Sequence, residues 1–112
     1  MPIINDSEYG WITIDSQKYE SDVFINVNGE VEEREKSHEI KKEEIEYLLK
    51  DNPNVIVIGK GTSGSAECNA DAKAFIEMLD VEVIIDNTPD IREKYNHYAA
   101  EKRVAALIHT TC

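Results

Sequence analysis

The chain has 112 residues, of which 41% are hydrophobic and 7% aromatic, and its 23 Asp and Glu against 12 Lys and Arg give a formal net charge of −11. That balance, with the basic residues scattered or paired with acids, excludes the electrostatic footprint of a nucleic-acid binder, and no apolar run approaches the ~20 residues of a bilayer-spanning helix, so neither nucleic acid nor membrane insertion is expected. One cytoplasmic domain spanning 1–112 is expected, large enough to build a core without disulfide or metal staples, because Met1-Pro2-Ile3-Ile4-Asn5-Asp6 lacks the basic and apolar regions of a signal peptide.

The first third reads as strands. Trp11, Ile12 and Ile14 form a short β-rich run, and Asp15-Ser16-Gln17-Lys18 supplies a turn. Val23, Ile25 and Val27 then alternate with Asp22, Asn26 and Asn28, Phe24 being the exception. Asn28-Gly29 is the pair favoured in a two-residue type I′ hairpin turn, so Val23–Val27 is expected to fold back onto Glu30–Glu33 and residues 10–34 to form one antiparallel meander. The charges from Glu30 to Lys36 suit a solvated edge strand and connector. A helix is expected near 42–50, where Ile45, Leu48 and Leu49 make an apolar stripe. Lys41 is its N-cap, Ile40 is placed to staple against Ile45, Glu43 and Glu44 suit the positive end of the dipole, and Asp51-Asn52-Pro53 ends it.

The rest alternates in a βαβαβ pattern. Val55–Ile58, Val81–Ile85 and Val104–Ile108 are apolar runs interrupted only by Glu82, as strands covered on both faces require, so the expected fold is α/β, with the meander packed beside a mainly parallel central sheet with flanking helices. The helix near 69–79 presents Ala72, Phe75, Ile76 and Leu79 and takes Asn69 as its N-cap; the helix near 90–101 presents Ile91, Tyr95, Tyr98 and Ala99 and opens on Thr88-Pro89-Asp90 as cap, N1 proline and N2 acid.

Two places could carry chemistry. Gly59-Lys60-Gly61-Thr62-Ser63-Gly64 satisfies G-x-G-x-x-G directly after a strand, and Asp86 ends the next strand about 20 residues on, where a dinucleotide fingerprint has its ribose-binding acid. The helix starts well after the glycines and there is no room for a second mononucleotide half, so the glycines are read first as a tight exit from a buried strand. A crevice for a small anion, lined by Gly59, Lys60, Gly61, Thr62, Ser63, Gly64 and His109, is the residual ligand site. The second place is His109-Thr110-Thr111-Cys112, delivered to the same end of the sheet, where Cys112 is a candidate reactive thiol and Cys68 a candidate resolving partner. A reducing compartment makes two free thiols the expectation. His38 and His97 stand isolated, and two Cys with three His at these spacings make no zinc site, so no metal or other cofactor is expected.

Ser37-His38, Val57-Ile58-Gly59-Lys60-Gly61 and the ending Arg103-Val104-Ala105-Ala106-Leu107-Ile108-His109-Thr110-Thr111-Cys112 carry a resemblance that extends from the Trp11 strand to Cys112. The sequence resembles the adipogenesis-associated small-domain family, a domain of unknown function whose relatives include a mitochondrial respiratory complex I assembly factor. The resemblance implies a compact α/β fold with an N-terminal β portion, no established catalytic activity and no agreed catalytic residues to transfer, and it does not depend on Gly64. The expected function is therefore that of a protein-binding accessory or assembly-type factor whose acidic surface favours a basic partner. A small-ligand or nucleotide protein using the glycine loop is the alternative, and a thiol enzyme using Cys112 the third reading.

Overall fold

The computed structural model describes residues 2–112. Strands β1 (Ile4–Glu8), β2 (Trp11–Ile14) and β3 (Gln17–Tyr19) form an antiparallel sheet. Asp15 and Ser16 join β2 to β3 with φ of 50° and 68°, the two positive values of a type I′ turn, and set the register Ile14 opposite Gln17. The chain then leaves this sheet. Strand β4 (Asp22–Ile25) enters a five-stranded sheet of order β5-β4-β10-β7-β9, completed by β5 (Val31–Arg34), β7 (Val55–Lys60), β9 (Glu82–Asp86) and β10 (Val104–His109). The single meander expected over 10–34 is thus two pieces in two sheets, because Val23 and Ile25 are wholly buried and pair with the central β10.

The β4–β5 hairpin forms by a different turn from the one expected. Only Gly29 has positive φ (90°); Asn26 O accepts the Gly29 N–H, and the Asn26 N–H donates to Glu30 O, both at 2.9 Å. This is a type I turn closed by a glycine bulge. Val27 is the first central residue of this turn and is buried, where a two-residue loop would have left it on a strand end.

Helix α1 (Lys42–Leu48) continues into a 3-10 turn at Leu49–Asp51 and stops at Asn52, whose φ is 54°. The Lys41 side chain has no acceptor to offer, and the cap rests on the Glu44 carboxylate, which accepts the Lys41 N–H at 3.0 Å. Helix α2 (Ala70–Glu77) is capped by Asn69, whose side chain accepts the Ala72 N–H at 2.8 Å. Helix α3 (Thr88–Ala99) begins one residue earlier than expected, with Asn87 as N-cap. A short parallel pair, β6 (Glu39–Ile40) with β8 (Glu67–Cys68), lies between the glycine loop and α2.

Parallel pairing of β10 with β7 and of β7 with β9 makes half of the central sheet, and antiparallel β4 and β5 the rest, so the sheet is mixed. Alternate residues of β7 and β10 feed two cores. Ile56, Ile58, Ala105 and Leu107 pack with residues of α1 and α2, and Val55, Val57, Val104, Ala106 and Ile108 pack with α3 and the three-stranded sheet. The crossovers run in opposite directions along the sheet and put α2 and α3 on opposite faces, as one common hand requires. Strand β9 departs from the expectation of three fully covered strands: it is the sheet edge, half-buried in its middle and exposed at Glu82 and Ile85. Among the described residues, no helix is long and apolar enough to cross a membrane.

Candidate functional site

The carboxyl ends of β7, β9 and β10 meet the start of β4, and β10 carries its last polar residues into the interior. Asp22 and His109 are fully buried, and Arg34, Thr110 and Thr111 nearly so. An uncompensated carboxylate here would cost several kcal/mol, and the Asp22 carboxylate is accordingly saturated. Oδ2 accepts from Arg34 Nη1 at 2.6 Å and from His109 Nδ1 at 2.7 Å, while Oδ1 accepts the Thr110 N–H at 2.9 Å. On the other side of the ring, His109 Nε2 lies 3.1 Å from Thr111 Oγ1. Arg34 spends its remaining donors on Glu44, at 2.6 and 3.1 Å, and on the carbonyls of Ser37 and Glu39.

This polar core was only partly visible in the sequence. The place of His109 after an apolar strand marks it, whereas nothing in the local sequence marks Asp22 or Arg34. Asp22 sits at a strand start like any turn residue, and Arg34 lies within a run of solvated charges. Their one common signal is that Asp22 opens β4 and Arg34 closes β5 opposite each other, which the correct hairpin register reveals.

The glycine loop lies against the last residues of the chain. Thr62 and Ser65 N–H groups donate to Thr111 O and Cys112 O, each at 2.8 Å; Gly64 N–H donates to Gly61 O, and Ala66 N–H to Lys60 O. Thr88, expected as a helix cap, instead accepts the Gly61 N–H at 2.9 Å and donates to His109 O at 2.6 Å. The amides of Gly61, Thr62, Gly64 and Ser65 are therefore engaged within the protein, and β8 separates the loop from the start of α2. A Cβ at Gly61, whose φ is 99°, would meet Thr111 O at 2.5 Å, so this glycine permits close approach of the tail. Asp86 is held below its usual carboxylate range by a hydrogen bond from Lys94 and another from the Asn87 N–H.

His109 is thus beside the loop but enclosed, Ser63 is exposed, and Lys60 is the loop residue that lines a neighbouring groove. That groove has a volume of about 350 Å³ and is lined by Lys60, Cys68, Lys73, Ile76 and Ile85, with Glu67 and Glu77 at its rim. Cys68 lies in its wall, and burial raises its thiol above the usual range. Cys112 is half-exposed on the other side of the loop, 3.9 Å from both His38 Nε2 and Tyr9 Oη. His38, isolated in sequence, packs edge-on against His109 with ring centroids 4.8 Å apart. His97 lies on α3 beside Tyr98, away from this cluster. Among the described residues, no group of three or more His, Cys, Asp or Glu is placed to hold a metal ion.

No curated protein matches the sequence. Solved structures do. The conserved hypothetical protein PH1505 from Pyrococcus horikoshii OT3 is 29% identical and superposes with a TM-score of 0.86, covering 97% of this chain and 98% of that one. The protein MT938 is 30% identical, with a TM-score of 0.84 and full coverage of both chains. XCC1710 from Xanthomonas campestris shares the fold at 16% identity and a TM-score of 0.77, over 98% of this chain and 85% of that one. The family model described as protein of unknown function, DUF498/DUF598, matches residues 4–109, and the chain belongs to that family.

Proposed function

We propose that this protein is a cytoplasmic protein-binding accessory factor, without metabolite turnover, that captures an extended segment of a partner along β9. The observation that carries the proposal is the state of β9: it ends the central sheet with no further strand paired to it among the described residues, and its Ile85 is 41% exposed at the rim of the groove beside α2. An open sheet edge next to a pocket is the arrangement used in strand addition, where main-chain hydrogen bonds give affinity and alternate side chains give selectivity.

Charge defines the occupant. Glu82, Ile84 and Asp86 share one face of β9, and Val83 and Ile85 the other, over α2. Antiparallel pairing with a second copy about Ile84 would set Glu82 against Asp86 of the other chain, a like-charge contact in a protein already at −11. The fitting segment instead carries basic residues flanking an apolar one on the first face and an apolar anchor for the groove on the second. The opposite edge, β5, is closed to this use by its charges, with Glu32 held by Tyr47 and Asn26. Resemblance to a family with assembly-factor relatives agrees with this reading. The small-anion alternative draws support only from Lys60 and Lys73 on the groove.

A ten-residue peptide built on the core Lys-Val-Val-Val-Lys, which sets Lys-Val-Lys on one face and Val-Val on the other, is a defined probe. Titrated at low salt, it is expected to shift backbone amide signals of β9 and Ile76, with affinity falling as salt rises. Ile85→Lys is expected to abolish the shifts at unchanged melting temperature. Equal binding by this variant, or shifts confined to other elements, overturns the proposal. Shifts at Lys60 and Lys73 with inorganic phosphate, and none with the peptide, would install the small-anion reading in its place.

A further inference from the structure

We propose that Cys112 is a site of reversible modification by small-molecule disulfides, with His38 taking its proton. The segment that carries Cys112 is clamped. Gly10 N–H donates to Thr110 O, Thr62 N–H to Thr111 O and Ser65 N–H to Cys112 O, all at 2.8 Å. Thr110 and Thr111 are further tied to the buried Asp22 and His109. The thiol therefore has a fixed place, half-exposed, with His38 Nε2 and Tyr9 Oη each 3.9 Å from sulfur.

His38 is fixed as well. Its carbonyl accepts the Glu67 N–H at 2.9 Å through the short β6–β8 pair, and its ring packs on His109. Nucleophile, base and a phenolic donor are thus brought from three distant parts of the chain to one surface, which is the constellation that thiol chemistry needs. Tyr9 registers the contact: the hydrogen bond with Cys112, followed by the charge on that sulfur, raises its phenol above the usual range.

The reaction class follows from what surrounds the sulfur. Thiol–disulfide exchange requires only an accessible thiol and a proton acceptor. The Cys112 S–H proton passes to His38 Nε2, the sulfur attacks one sulfur of the incoming disulfide, and a Cys112–S–S–R bond forms as the R–S–S–R bond breaks. The leaving thiolate then takes the proton back from His38 and departs as R–SH. The disulfide is the oxidant and is reduced to one thiol per adduct formed. Cys68 is buried in the wall of the groove, its thiol raised by that burial, and is the internal control for an inert cysteine.

The test uses 2-hydroxyethyl disulfide, which is uncharged and so indifferent to the acidic surface, with intact-mass and peptide mapping at pH 7. One adduct is expected, on Cys112, forming faster than on an unstructured peptide of residues 104–112 and removed by excess thiol. His38→Gln is expected to slow it about tenfold at unchanged melting temperature, the low end of the effect of a positioned base, and Tyr9→Phe to change it less. A wild-type rate equal to or below that of the peptide overturns the proposal, as does preferential labelling of Cys68. So does an unaltered rate in a folded His38→Gln variant.

Discussion

His109 Nδ1 lies 2.7 Å from Asp22 Oδ2, although the two residues stand 87 positions apart. The contact ties the last strand of the chain to the fourth, and Arg34 joins it from β5. Three elements thus close on one carboxylate, and the tail that follows His109 takes its position from it.

Removing Arg34 is expected to be severe. Arg34→Met leaves Asp22 and Glu44 without their cation, and breaking a buried pair in this way costs about 3–5 kcal/mol. Chemical denaturation should show that loss, and the double variant Asp22→Asn/Arg34→Met should lose less than the sum of the single variants. Wild-type stability of Arg34→Met would contradict the assignment of this cluster as a closed, fully paired unit.

The glycines of the loop are expected to rank by what they approach. Gly61→Ala meets the backbone of Thr111 and Cys112 from a strained φ of 99°, and neither side can yield without displacing the tail. A loss of at least about 2 kcal/mol is expected. Gly64→Ala meets chiefly the side-chain end of Asn87, which can turn away, so a loss of about 1 kcal/mol is expected. Thermal melts of the two variants check the order, and the reverse order would contradict it.

How far the sequence discloses the fold depends on the kind of information each element needs. The runs at 55–58 and 104–108 declare themselves because strands covered on both faces must be apolar throughout, and the Asn69 cap because its role is local. The edge position of β9 is signalled in the sequence by Glu82 alone, which interrupts the otherwise apolar Val81–Ile85, and the strand order exposes it. Ile56→Asp is accordingly expected to prevent folding, whereas Ile84→Asp, on a half-buried edge, should leave a folded protein of reduced stability. The candidate site was legible as residue types at the right strand ends. What those residues touch was not, because each partner is distant in sequence: Thr88 for Gly61 and His109, Asp22 for His109, His38 for Cys112.

Alkaline pH is expected to destabilise the protein through two buried acids. Burial, with the charge of Asp15 adding to it, holds the Tyr95 phenol far above its ordinary range, and burial raises Cys68 as well. Above about pH 9 Cys68 ionises in the unfolded chain, and from about pH 10 Tyr95 does, while the folded protein keeps these two protons. The unfolded state then binds fewer protons, so stability falls as pH rises. At pH 11 Tyr95 alone accounts for about 1.4 kcal/mol of that loss. Denaturation of Tyr95→Phe across pH 8–11 should show a correspondingly flatter decline, and a slope equal to wild type would contradict it.

The central claim is that β9 is an open edge that accepts a partner strand, and amide hydrogen exchange of residues 82–86 reads it directly. In the free protein the outward-facing amides of β9 are expected to exchange quickly, beside slow exchange throughout β7 and β10. Addition of the Lys/Val peptide at low salt is expected to slow those β9 amides about tenfold or more and to leave β5 unchanged. Protection that appears on β5, or a β9 whose exchange is indifferent to the peptide at saturating concentration, would contradict the account.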